Sequence, residues 1–367
     1  MAAVSSVVSS PVFQIGSFSQ DHFQTDLDFI HKTVLDNHPG VCDPLNPDFV
    51  SDVARNYEWA KKELGSVYSD EEKAQVLRTF ARSFQDAHVG IRHDAMQPSF
   101  SAPMEKRSFG IQSLADGSLW ISIPTFVPSE AQREQLREIA AQLPQFRKKN
   151  IIFDLRGNGG GNSALANEQL DALFGAEYAK ARRDELSRNV FIEWRATEGN
   201  LRHIQEVLIP LVRSQFDLDH PAFAYFEDVC KGIKTALSCG EKYYTPKSPK
   251  ESAESLPEKG GVSLFEGKCF AIVDRGCGSS CLNFLDGLKA MQPDAIFVGE
   301  TTGADSNYME VREVALPSGK GIFRFPIKVY RNRPRGHNVP HVPDVAYPGN
   351  LQDTSALQSF VLEITKK

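Results

Sequence analysis

The sequence predicts an α/β protein: a helical N-terminal unit packed on an α/β core, with a helical insertion. Three observations carry this. Helical periodicity dominates the chain as far as about residue 100. A strand, a capped helix and an apolar strand then follow one another between Ser118 and Arg156, the order of a crossover unit. The same order recurs in reduced form around a helix between Cys269 and Gly299.

Taken along the chain, Phe23, Leu27, Ile30 and Val34 recur at helical spacing and predict an amphipathic helix that stops at the breaker Asn37-His38-Pro39-Gly40. Ser69 and Glu72 form a capping-box pair, with Leu77, Phe80 and Phe84 on one face of a helix expected to run to about Gln85. His88 is thereby placed just past a helix end. From Ser118 the pattern becomes strand, LWISIP. A helix follows, boxed by Ser129 and Gln132 and striped by Leu136, Ile139, Ala140 and Leu143, and then the strand IIFDLR. Three segments are expected: residues 1–100 as the N-terminal helical unit, 101–177 with 263–367 as the α/β core, and 178–262 as an insertion and candidate lid. The insertion contains the helical IQEVLIPLVRSQF and a polar, Pro-containing stretch near 245–260. Its aromatics Phe191, Trp194, Phe216, Phe223, Tyr225 and Phe226 either line an apolar subsite or pack the insertion onto the core.

Composition narrows the function classes. With 41% hydrophobic and 24% charged residues and a net charge of −6, the chain has no basic stripe for phosphates, so nucleic acid is not expected as a partner. No segment approaches the roughly 18 apolar residues of a membrane span, and the start lacks a basic, apolar leader pattern, so a cytoplasmic protein is expected. The six cysteines lack the short paired spacings of zinc sites, and no cofactor is called for. A homo-oligomer is left open.

Two motifs carry chemistry. In Asp154-Leu155-Arg156-Gly157-Asn158-Gly159-Gly160-Gly161 a buried strand runs into a glycine turn whose backbone N–H groups suit an anion, either a phosphate or the oxyanion of acyl transfer. It has neither dinucleotide-fingerprint spacing nor the Gly-Lys-Ser/Thr of a phosphate loop. In Asp274-Arg275-Gly276-Cys277-Gly278-Ser279-Ser280-Cys281, Ser279 stands at the start of a helix. There the macrodipole and the unpaired first-turn amides favour a serine nucleophile with an adjacent oxyanion donor. The bland alternative is that Ser279 is an N-cap, as most serines before helices are.

These motifs, followed by FVGETTG, resemble the core of the C-terminal-processing (tail-specific) proteases, peptidase family S41, in order and spacing. The resemblance extends through Leu316-Pro317-Ser318-Gly319 to Val342-Pro343-Asp344-Val345. It implies a crotonase-like spiral core and a serine hydrolase acting on a peptide or small acyl substrate, with Ser279 as nucleophile and Gly160 and the Ser280 amide at the oxyanion positions. Members with a Ser-Lys dyad carry the lysine just after the third motif, where this chain reads Gly303-Ala304-Asp305-Ser306. The branch that resembles the core of tricorn protease uses a histidine from the N-terminal unit, and His88 in Asp86-Ala87-His88-Val89-Gly90 stands there. His88 is therefore the expected base, histidine being the residue type that exchanges a proton near neutral pH, with His38, His93, His337 and His341 as rivals. The group that orients it is open among Asp86, Asp305 and His337. The short stretch between His88 and LWISIP has no room for a PDZ domain. Two alternatives stand beside the hydrolase: a cyclase, acyltransferase or esterase using the same site, and a non-catalytic binder of apolar ligands like the interphotoreceptor retinoid-binding repeats.

Overall fold

Phe23, Leu27, Ile30 and Val34 fall on one side of α1 (His22–Asn37), and all four are fully buried, as their spacing requires. The computed structural model describes residues 21–96, 107–215, 221–246 and 261–366. The helix stops where His38 turns extended ahead of Pro39. Next comes α2 (Phe49–Leu64), whose N-cap Asp48 makes no side-chain capping bond and which buries Phe49, Val53, Ala60 and Leu64. The expected capping box opens α3 (Asp70–Arg82), with Ser69 and Glu72 each bonding the other's backbone N–H. This helix ends three residues before the expected Gln85, because Gln85 takes φ 51° and turns the chain away, leaving Phe84 off the helix.

The remaining elements are, in order, β1 (Gly90–His93), β2 (Gly110–Ser113), β3 (Leu119–Ser122), α4 (Glu130–Gln142), β4 (Ile151–Asp154), α5 (Ser163–Phe174), α6 (Ala176–Leu186) and β5 (Phe191–Arg195). Then α7 (Glu198–His203) passes through a π-helical turn into α8 (Ile209–Gln215). The wide turn lies just before Pro210, whose ring crowds an ordinary α-helical turn behind it. The chain continues with α9 (Pro221–Ser238), β6 (Tyr243–Tyr244), β7 (Cys269–Val273), α10 (Ser280–Met291), β8 (Ile296–Gly299), β9 (Tyr308–Ala315), β10 (Gly321–Arg331), β11 (Val345–Ala346) and α11 (Thr354–Thr365).

Two sheets result. One runs β11-β8-β7-β4-β3-β2, parallel except for the β2–β3 pair. Its central strands are buried on both faces, and the period of two sorts their side chains. Ile151, Phe153, Cys269, Ala271 and Val273 face α4, α5 and α10, whereas Ile152, Phe270 and Ile272 face α11. Asp344, the acid of the closing Pro-Asp pair, ties this sheet's edge by accepting from the Phe297 amide at 2.7 Å.

The second sheet runs β1-β10-β5-β6, with β9 on the other side of β10. Strand β10 is shared lengthwise: residues 321–324 pair with β1 and 328–331 with β5. Pro326 falls in the gap between these partners, where its missing N–H costs no ladder bond. The sheets divide the chain differently from the three expected segments. Phe323, Phe325 and Ile327 of β10 share one hydrophobic core with the N-terminal helices and with Trp194, Leu201, Val229 and Ile233 of the insertion.

Of the insertion aromatics, Trp194 is fully buried in that core and donates to the Tyr225 hydroxyl at 3.0 Å, while Phe191 is exposed. Phe216 lies outside the described residues, as does most of the polar stretch near 245–260. All six cysteines are free thiols; four are buried, Cys42 is half-buried and Cys239 is exposed. No described helix is long and apolar enough to cross a membrane.

Candidate active site

The two glycine turns meet at the ends of β4 and β7, the place where parallel sheets present ligands. Asp274 joins them, its Oδ1 accepting from the amides of Gly157 and Gly276, both at 2.9 Å. Asn158 braces the first turn by donating to the Ile123 carbonyl at 2.9 Å, and its own carbonyl accepts from Gly278 of the second turn at 3.2 Å. Arg156, fully buried, forks onto Asp154 at 2.7 and 2.5 Å. The letters DLRGNGGG thus build a rigid turn rather than a phosphate cradle.

Ser279 is held at φ 51° and ψ −120°, a region that non-glycine residues enter at a cost of about 1–3 kcal/mol. Its side chain makes no capping hydrogen bond, so it is not the N-cap of the bland reading. The hydroxyl of Ser280, by contrast, is spent on structure: it donates to the Gly161 carbonyl at 2.6 Å and meets the Ser163 hydroxyl at 2.8 Å. Ser279 alone of the two presents a hydroxyl without a hydrogen-bond partner among the described residues.

Gly160 requires a correction. Its amide donates to Asn158 Oδ1 at 2.9 Å, so it is not a free oxyanion donor. What Gly160 supplies is close approach. At φ 92° a Cβ would lie 2.8 Å from the Ser279 Cβ and 2.6 Å from the Ser280 nitrogen, so only glycine lets the two turns touch. Two amides that have no hydrogen-bond partner among the described residues and whose residues line the cavity are those of Ser280 and Gly161.

That cavity, about 410 Å³, is the meeting place of the two sheets. Gly161, Ser163, Ser279, Ser280 and Asn283 wall one side, and His88, Met309, Glu310, Val311, Lys328, Tyr330 and Arg333 the other. The expected pair, Ser279 and His88, are therefore brought together across 191 residues of sequence. The rival histidines do not line it. His38 is fully buried, His93 faces Asp26 at 3.9 Å, His341 bonds Asp286 at 2.9 Å, and His337 accepts from the Asn307 amide at 3.2 Å beside a separate cavity.

Behind His88 stands Asp86. Its Oδ1 accepts from the His88 amide at 2.8 Å and lies 3.2 Å from His88 Nδ1, which is shut off from solvent. Its Oδ2 faces His38 Nε2 at 3.9 Å. The Gly40 amide donates to His38 Nδ1 at 2.9 Å, which puts the His38 proton on Nε2, toward Asp86. Burial works to raise the Asp86 carboxyl, yet the two imidazoles facing it, His88 at 3.2 Å and His38 at 3.9 Å, outweigh burial and hold the group well below the ordinary carboxylate range. Burial in turn pushes His38 down, keeping it neutral. With Nδ1 against a buried carboxylate, His88 has Nε2 left for the cavity. The loop that carries it is pinned by Arg324 to the Ala87 carbonyl at 3.3 Å and by Asn338 to the Gln85 carbonyl at 2.6 Å.

Of the other candidates for the orienting group, Asp305 is clamped by Arg333 at 3.0 Å and Arg335 at 2.7 Å. It serves structure where a dyad lysine was missed. A lysine does reach the cavity from elsewhere: Lys328 of β10 pairs with Glu310 of β9 at 2.9 Å, over the Trp194 ring. Burial pushes Lys328 down, but Tyr330 and Glu310 more than offset this and hold it above its ordinary range. Glu310 stays below its ordinary value, since Lys328 overcomes the effect of burial. Neither residue carries a motif; the ladder between two antiparallel strands assembles them.

The family model of Peptidase family S41 matches residues 118–346. The fold is similar to the crystal structure of mature CPAF at 12% identity and TM-score 0.55, covering 94% of this chain and 98% of that one. It is similarly close to mature CPAF complexed with lactacystin, at 11% identity and TM-score 0.55, covering 94% and 99%. The photosystem II D1 C-terminal processing protease overlaps less, at 14% identity and TM-score 0.32, covering 74% of this chain and 52% of that one. No curated protein sequence matches the chain.

Proposed function

This chain belongs to peptidase family S41 and is a serine-type peptidase, and we propose that it works through a Ser279-His88 acyl-enzyme with Asp86 as the orienting group. The observation that carries the reading is the conformation of Ser279. A strained φ of 51° at a helix N-terminus aims an unbonded hydroxyl into the cavity that His88 shares.

In this reading Ser279 Oγ attacks the substrate carbonyl and gives its proton to His88 Nε2. The oxyanion is met by the Ser280 and Gly161 amides, with the N-terminal end of α10 behind them. Collapse expels the amine, which takes the proton from His88; water, activated by the same imidazole, then releases the acyl group and restores Ser279. Asp86 stabilises the imidazolium and fixes Nε2 as the acceptor. Lys328, held cationic by Glu310, contributes charge to the wall and takes no proton. Lys328, Glu310, Arg333 and His88 interrupt the apolar surface that Met309 and Val311 offer, which favours a polar substrate over an apolar ligand.

Labelling with a fluorophosphonate and intact-mass analysis tests it. One adduct on the native protein, lost in Ser279→Ala and in His88→Ala, is the expected result. Folded native protein that takes no label would sink the reading.

A further inference from the structure

We infer that His38 is a positioning residue of this site: acting only through Asp86, it fixes the orientation and charge of the carboxylate that holds His88. This rests on the Ser279-His88 reading above and adds to it a fourth residue, one that stands in the breaker at the end of α1.

The ring of His38 is locked in place. It stacks on Phe49, with centroids 4.6 Å apart and 14° between the planes, and meets Tyr308 edge-on at 5.0 Å. Pro39 follows directly and confines the His38 backbone to the extended region, at φ −72° and ψ 135°. Nδ1 accepts from the Gly40 amide, so the ring caps the short turn Pro39–Cys42. A cap accounts for one nitrogen only, and asparagine, serine or aspartate would serve it as well. What the cap leaves over is an N–H at Nε2, on the side of the ring that faces Asp86.

His38 Nε2 and Asp86 Oδ2 face each other at 3.9 Å, both shut off from solvent and neither within hydrogen-bond distance of any partner among the described residues. Polar atoms left alone in an interior are costly, and these two have each other to answer to. At this separation the contact is one of charge with dipole, strengthened by dry surroundings. The other carboxylates close by are compensated: Asp43 by Arg331 at 2.7 Å, Glu310 on the cavity wall by Lys328 at 2.9 Å, and Asp305 by Arg333 at 3.0 Å. Asp86 instead lies between two imidazoles, Oδ1 toward His88 and Oδ2 toward His38. With Oδ2 engaged, the carboxyl plane is fixed and Oδ1 stays against His88 Nδ1. A neutral N–H at Oδ2 also draws off part of the field that would otherwise act on His88 alone.

The test is the rate of fluorophosphonate labelling against pH in the whole chain, for the native protein, His38→Asn and His38→Gln. Asparagine keeps a cap acceptor for Gly40 and loses the N–H toward Asp86. Glutamine, whose amide reaches the place of Nε2, keeps that N–H and gives up the cap. Without the N–H, Asp86 stabilises the imidazolium form of His88 more strongly, and labelling needs the neutral ring. The midpoint in His38→Asn is therefore expected about half a pH unit above the native one, and His38→Gln is expected to return it to the native position. A downward shift, no shift, or a larger shift in His38→Gln than in His38→Asn would overturn the inference, the last being what a cap alone predicts. If the variants do not fold, nitrogen NMR of native protein with isotope-labelled histidine decides: His38 is expected to stay neutral and protonated on Nε2 from about pH 5 to 9, and a proton on Nδ1 overturns the assignment. Native protein that takes no label at any pH rejects the Ser279-His88 reading, whereas native labelling with an unmoved His38→Asn midpoint rejects His38 alone.

Discussion

The two walls of the cavity are built by opposite means. On the Ser279 side everything is backbone: two glycine turns, a strained serine and a helix start, locked by Asp274 and Asn158 through contacts to amides and carbonyls. On the His88 side everything is side chain: an imidazole leaning on Asp86, itself leaning on His38, and a Lys328–Glu310 ion pair strung between two strands. The first wall has no room for a Cβ at Gly160 or Gly161. The second depends on charge and protonation. Substitutions on the two sides should therefore fail differently, in geometry on one and in electrostatics and pH response on the other.

The largest effect beyond removal of the two reacting groups is expected at Asp86. Asp86→Asn retains the shape but allows the wrong imidazole tautomer, and kcat on a peptide substrate is expected to fall about 10³-fold. A loss under tenfold would show that His88 needs no orienting group. On the opposite wall, Gly160→Ala drives a Cβ to 2.6 Å from the Ser280 nitrogen, and the displaced serine is expected to label about a hundredfold more slowly with fluorophosphonate. Native labelling kinetics would mean that the turns are not in rigid contact.

Smaller effects sharpen the electrostatic half. Lys328→Met leaves Glu310 without its partner in a partly screened site, and an unfolding free energy lower by about 1–2 kcal/mol is expected from denaturant melts. The double replacement with Glu310→Gln should recover part of it. The acid response of Asp86 is subtler. Its folded pKa is depressed, so at acid pH the unfolded chain binds the extra proton. The stability it contributes is complete above about pH 4 and is lost as pH falls further toward the folded value. Melting temperature against pH should accordingly fall less steeply below pH 4 in Asp86→Asn than in the native protein. Parallel curves would remove Asp86 from the acid response.

The same division governs what the sequence could tell. Motifs that build their geometry from adjacent residues were legible: DLRGNGGG, the GCGSSC turn, and the boxed helices α3 and α4 announce themselves because strand, turn and helix start are consecutive. Their local bonds were not: Asn158 Oδ1 occupies the Gly160 amide that the motif offers as an oxyanion donor. His88 was legible only through resemblance, since a lone histidine after a helix has no spacing signature.

Sequence by itself determined the elements that carry Ser279 and the crossover units of the parallel sheet, because helical and strand periods and glycine turns are short-range physics; the family came through resemblance of the motifs. Only the tertiary structure decided which amides are free, that His88 shares a cavity with Ser279, that Glu310 and Lys328 line that cavity, and that Asp86 and His38 stand behind His88. Those partners lie up to hundreds of residues apart, and hydrogen-bond and ion-pair energies depend on ångström separations that only the packed sheets establish.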